Sequence, residues 1–197
     1  MLESLLPIVL FTFSTSITPG PNNLMIMSSG LNYGVSRSLP HVLGICLGFP
    51  AMIVAIGLGL GTLFSQFPLL HEVIRWVGIA YLLYLAWVIA STREVGSADT
   101  QKPFTFLQAA AFQWVNPKGW IMAVGALAAF TSPNGEMWAE IARIALAFIA
   151  IGGPCIVVWL LFGVGLKRLL TEPKHLRRFN LTMGLLLAAS VVPMALD

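Results

Sequence analysis

Thr18-Pro19-Gly20-Pro21-Asn22-Asn23 stands near the middle of the apolar stretch 5–31, and its reading decides how the chain folds. Proline removes a backbone donor and clashes with the preceding turn, and glycine adds slack, so a helix through this stretch breaks here. A second stretch, 104–130, is interrupted in the same way by Asn116-Pro117-Lys118-Gly119. Both are long enough to cross a bilayer. N–H and C=O groups freed inside hydrocarbon are tolerated only where protein buries them or where they line a wet cavity. Two broken helices at corresponding places in the halves of a chain therefore point to a transporter's central site.

Composition agrees. Of 197 residues, 57% are hydrophobic and 10% charged, against about 25% charged in a soluble domain. The expected class is an all-α integral membrane protein, a single transmembrane domain over 1–197. Six stretches have spanning length and polarity, at about 5–31, 42–64, 74–90, 104–130, 144–166 and 179–196. Internal proline and glycine, with no alternation of polarity, argue against a β-barrel. Glu3 in place of a basic leader region, with no small-residue cleavage site before the break, argues for a retained first helix.

The spans divide into repeat one (about 1–90) and repeat two (about 103–197), joined by the polar linker 91–102. Three spans per half is an odd number, so the halves have opposite orientations: an inverted repeat. Each first span carries a proline break. Each second span carries glycine and proline beside a cysteine, Cys46-Leu47-Gly48-Phe49-Pro50 and Gly152-Gly153-Pro154-Cys155. Each third span follows an arginine and an aromatic residue, Arg75-Trp76 and Arg178-Phe179. Gly44 and Gly48 form a small-xxx-small pair that lets helix backbones approach. The same faces could serve a homodimer.

Lysine and arginine set the orientation. Arg37, Arg93, Lys102, Lys167, Arg168, Lys174, Arg177 and Arg178 fall in odd-numbered loops, against Arg75 and Arg143 in even ones. The positive-inside rule places the odd loops in the cytoplasm and both termini outside. The formal charge of +3 then reflects topology and the lipid bilayer. No basic stripe suited to nucleic acid is present.

Lys118 is the residue that most constrains function. A lysine at the centre of a spanning helix costs roughly 2.5 to 3.5 kcal/mol on insertion scales. All eight acidic residues lie in loops or near span ends, so no internal anion offers itself. An unpaired cation beside freed helix termini invites an anionic ligand, and half-helices starting at Pro21 and Pro117 would aim their positive dipole ends at the same place. Asn22, Asn23 and Asn116 offer donors and acceptors, either to a ligand or as caps of the broken helices. Gln113, one turn before Pro117, is a weaker candidate. Trp114 and Trp120 flank the second break and could wall a cavity. Pro19, Gly20, Pro21 and Pro117 shape the break itself. The expected substrate site is therefore Pro19, Gly20, Pro21, Asn22, Asn23, Asn116, Pro117 and Lys118. His41, near the start of span two, is a candidate for proton exchange.

With these motifs in place, the chain resembles the lysine exporter family over essentially its whole length. Thr18-Pro19-Gly20-Pro21-Asn22-Asn23, Asn116-Pro117-Lys118 and the glycines 30, 34, 44 and 48 around Arg37 carry the resemblance. It is nearest the cysteine and O-acetylserine exporter branch, beside the homoserine and threonine exporters. The resemblance implies export of small amino acids across the bacterial inner membrane, energised by the membrane gradient, with no enzymatic activity and no cofactor.

A competing reading is a transmembrane thiol–disulfide carrier using Cys46 and Cys155, which occupy corresponding spans. Strongly apolar surroundings disfavour the thiolate such a carrier needs. Three scattered histidines without an intramembrane carboxylate make a poor metal site.

Overall fold

A computed structural model describes residues 2–60, 68–91, 103–132, 135–167, 170 and 172–192. The linker from residue 92, with Arg93 and Lys102, lies outside the described residues, as do Gly61, Arg168 and the end of the sixth stretch. Among the described residues all regular structure is helical. The helices are α1 (Leu2–Ile17), α2 (Pro21–Ala55), α3 (Pro68–Ser91), α4 (Phe106–Phe112), α5 (Pro117–Phe130), α6 (Met137–Ala147), α7 (Gly153–Leu166) and α8 (Pro173–Ala189). Two stretches, Pro21–Gly59 and Met137–Leu166, are long and apolar enough to cross a membrane.

Both expected breaks are present. Between α1 and α2 the chain leaves the helix over residues 18–20, and Pro21 restarts it at the first turn, where its missing N–H costs nothing. Between α4 and α5 the helix tightens to a 3₁₀ turn at Gln113–Val115, Asn116 is extended, and Pro117 restarts it.

The boundary between the first two spans differs from expectation. Helix α2 runs through Arg37 with no loop, and the chain reverses at a single residue, Gly34 (φ 76°, ψ −178°). This left-handed value is one that glycine adopts without a Cβ penalty. The reversal is visible in the bond between Ser29 Oγ and His41 Nδ1, 2.9 Å apart across twelve residues. A straight helix would separate them by about 18 Å. Arg37 lies over the Tyr33 ring at the turn, 5.6 Å from its centroid.

Span five bulges. Pro154 has no N–H to offer the turn before it, and Gly153 N–H instead bonds Phe148 O, five residues back. The resulting π-turn, Phe148–Gly152, joins α6 to α7.

Glycines set the close packing. A Cβ on Gly30 would strike Leu160 O, and one on Gly163 would strike Met27 O, so α7 lies backbone to backbone on the arm of α2 before Gly34. On the other arm, a Cβ on Gly48 would come within 2.6 Å of Ala110 Cα, and one on Gly44 within 2.6 Å of Ala109 Cβ, which seats that arm on α4. Gly184 seats α8 on Ala86 and Ala90 of α3. The largest buried cluster joins Phe49, Met52 and Ile53 of α2 to Ala123, Ala126 and Leu127 of α5 and to Ile141, Ile144 and Phe148. The outer surface is apolar, with Leu10, Leu43, Ile121 and Phe162 exposed, as lipid contact requires.

Candidate functional site

The two breaks meet. Between them lies a cavity of about 500 Å³, counting its open mouth, lined from the first break by Gly20, Asn22 and Asn23 and from the second by Asn116, Lys118 and Gly119. Its apolar wall comes from Ile45 and Phe49 of α2, Met122 of α5, Phe148 at the bulge and Ile156 of α7.

Side chains serve the carbonyls of residues 15–19 at the end of α1. Asn23 Nδ2 donates to Ser16 O (2.9 Å) and Thr18 O (2.8 Å). Trp159 Nε1 donates to Ile17 O (3.1 Å). Thr18 Oγ1 turns back to Thr15 O (2.9 Å). Lys118 Nζ donates to Thr18 O (2.6 Å), Thr18 Oγ1 (2.9 Å) and Pro19 O (3.3 Å). Lys118 thus has an internal partner that residue-type reasoning did not supply: helix-end oxygens in place of a carboxylate. The negative end of the α1 dipole favours a cation there.

Gly20 explains itself in this arrangement. Its backbone is extended (φ −172°, ψ 176°), which any residue can adopt, but a Cβ would lie 2.6 Å from Lys118 Cδ. The missing side chain is the passage for the lysine stem.

The asparagines separate by role. Asn23 lines the cavity and also caps the end of α1 through its two bonds. Asn22 exchanges amide bonds with Gln113 across the two breaks, Nδ2 to Oε1 at 2.8 Å and Gln113 Nε2 to Asn22 Oδ1 at 3.2 Å. Gln113 is fully buried, and its Nε2 also bonds Ala109 O (2.8 Å). Asn116 occupies the cap position of α5 but makes no capping bond, and its buried Oδ1 has no partner. Thr18 and Pro19 are exposed and Pro21 is buried, and none of them, nor Pro117, is among the residues lining the cavity.

Three expectations need correction or relocation. Trp114 and Trp120 do not wall the cavity. They pack edge to face on each other and on the core, with Trp120 Nε1 bonded to Trp114 O at 2.8 Å. His41 lies outside the cavity, fully buried, stacked on Phe104 and bonded to Ser29, with Nε2 unpartnered. Cys46 lines the cavity and Cys155 does not; both thiols are free. Missed from sequence were Phe148 and Ile156. The corresponding positions of Ile45–Pro50 and Gly152–Cys155 in the two halves were the signal that could have found them.

Broken helices converging on one partly polar cavity inside an apolar helical shell define a membrane translocator. The chain belongs to the LysE type translocator family, which matches residues 13–195, and it is a multi-pass membrane protein. It is similar to the cysteine/O-acetylserine efflux proteins of Escherichia coli (strain K12) and Shigella flexneri, 30% identical over 183 residues covering 92% of this chain and 92% of each relative. No solved structure matches.

Proposed function

We propose that this protein is a secondary exporter of small amino acids or their derivatives, of the cysteine/O-acetylserine or threonine/homoserine type, in the bacterial inner membrane. The observation that carries the proposal is the cavity between the two breaks, with Lys118 as its cation and Asn116 as an unsatisfied polar group. A zwitterion would set its carboxylate against Lys118, with its side chain among Ile45, Phe49, Met122 and Phe148. The names of the similar efflux proteins support the substrate class.

Alternating access between inverted repeats fits the pattern of contacts. The residue after Pro21, Asn22, reaches a residue ahead of the second break, Gln113. The residue after Pro117, Lys118, reaches residues ahead of Pro21, Thr18 and Pro19. Span one packs on five, four on two, and three on six, which is the exchange a two-fold between halves would produce. The halves would rock around the cavity they share. His41 would then exchange protons away from the substrate, if protons are the coupling ion.

The test is efflux of labelled cysteine, O-acetylserine, threonine, homoserine and lysine from cells carrying the protein, its Lys118→Met variant or an empty vector. Faster efflux of one or a few small amino acids, lost in Lys118→Met while the variant still reaches the membrane, supports the reading. Equal efflux from all three cell types refutes it for these substrates. Full activity of a Cys46→Ser, Cys155→Ser double variant removes the thiol–disulfide alternative.

A further inference from the structure

We propose that the end of α1 is a binding site for a primary ammonium group, and that Lys118 occupies it as a tethered stand-in until substrate arrives. The inference rests on the exporter reading and adds to it the order of events at the site.

An ammonium has three N–H donors and no acceptor. Lys118 Nζ spends its three on Thr18 O, Thr18 Oγ1 and Pro19 O, at 2.6, 2.9 and 3.3 Å. These oxygens exist as a group because the chain breaks there: a continuous helix would turn both carbonyls onto its own N–H groups. Gly20 leaves the gap through which the lysine stem reaches them. A second acceptor, Asn116 Oδ1, is buried and unpartnered in the residue just ahead of the helix bearing Lys118. The break thus offers acceptors of the kind an α-ammonium takes, and the protein's own lysine fills most of them.

A zwitterionic amino acid can evict that lysine at little electrostatic cost. Its α-ammonium replaces Nζ on the helix-end oxygens, and its carboxylate, two bonds away, neutralises the displaced Lys118. A simple amine lacks the second half of the exchange. It would leave two cations side by side, and like charges repel. An acid without the ammonium would pull Lys118 away and leave Pro19 O without its donor, Thr18 O keeping only Asn23 Nδ2. Selectivity for zwitterions follows from the swap. Because Thr18 and Pro19 belong to repeat one and Lys118 to repeat two, the swap also releases a direct tie between the halves, so that occupancy loosens them for movement.

The test uses purified full-length protein in lipid nanodiscs and two probes, threonine and threonine methyl ester, with binding read by intrinsic tryptophan fluorescence. Wild type should prefer threonine. Lys118→Met should bind the ester at least about tenfold more tightly than wild type does, and threonine at least about tenfold more weakly, the scale of one charge-assisted hydrogen bond. Adding Thr18→Val to Lys118→Met should abolish the gain. Gly20→Ala, which displaces the lysine stem and keeps its charge, should raise ester affinity several-fold. It decides the matter should Lys118→Met fail to fold. No gain of ester binding in the folded variants overturns the stand-in. A gain of ester binding in a protein that neither binds nor exports amino acids would uphold the ammonium site and overturn the exporter reading instead.

Discussion

Asn23 and Asn116 are both buried at a helix break, yet their bonds predict opposite consequences for removal. Asn23→Ala takes two donors from the carbonyls of Ser16 and Thr18. Its expected cost is about 1–3 kcal/mol, read as a lower thermal midpoint of the solubilised protein, with transport per folded molecule little changed. Asn116→Ala removes an oxygen that bonds nothing. It should leave the midpoint near wild type while raising the apparent KM for export by roughly tenfold, the worth of one hydrogen bond to a charged ligand. A destabilised Asn116→Ala with unchanged KM would show that this asparagine only builds the break. Residue type alone left capping and ligand contact equally open for these two. The bonds set the two apart, because Asn23 Nδ2 reaches two carbonyls while Asn116 Oδ1 reaches no donor.

Within the elements, the glycines of α7 make a controlled comparison. A Cβ on Gly163 would run into the backbone of Met27, which cannot step aside as a flexible side chain can. A Cβ on Gly165, two residues further along the same helix, would meet nothing within 4 Å. Gly163→Ala is therefore expected to lose about 1–3 kcal/mol through overpacking, and Gly165→Ala almost none, by thermal unfolding in detergent. Equal midpoints would mean that α7 does not sit on α2 as described. Both helix breaks, the class of fold and the glycine-lined seams were legible in the sequence, because proline chemistry and small-residue spacing are local signals. The turn at Gly34 was not, since nothing distinguishes a glycine that reverses the chain from one that lets a helix approach until its neighbours are placed. Likewise Lys118 reads as a cation awaiting an anion, since carbonyl partners a hundred residues away carry no side-chain signature. Gln113 reads as a minor candidate for the same reason: its partner, Asn22, lies across the molecule.

At the scale of the molecule, the cavity belongs to both halves, and one native thiol reports on it. Cys46 lines the space while Cys155 is buried in α7 away from it. In a Cys155→Ser background, a small membrane-permeant maleimide should label Cys46, and exported substrate should slow that labelling several-fold by filling the space beside it. An impermeant maleimide applied to right-side-out and then to inside-out vesicles separates two pictures. If the halves rock about the site, Cys46 is reached from each side in turn, and substrate shifts the balance between the two rates. If the cavity opens permanently to one face, labelling from the other stays at background with or without substrate. The proposed inverted arrangement makes a linked demand on the ends of the chain. Under the proposed six spans with most positive charge in the odd loops, both termini would lie outside, and alkaline phosphatase fused to either end should be active. Activity at one end alone would require an odd number of spans. The two halves could then no longer be inverted copies of three, and the exchange of contacts across the breaks would need a different origin.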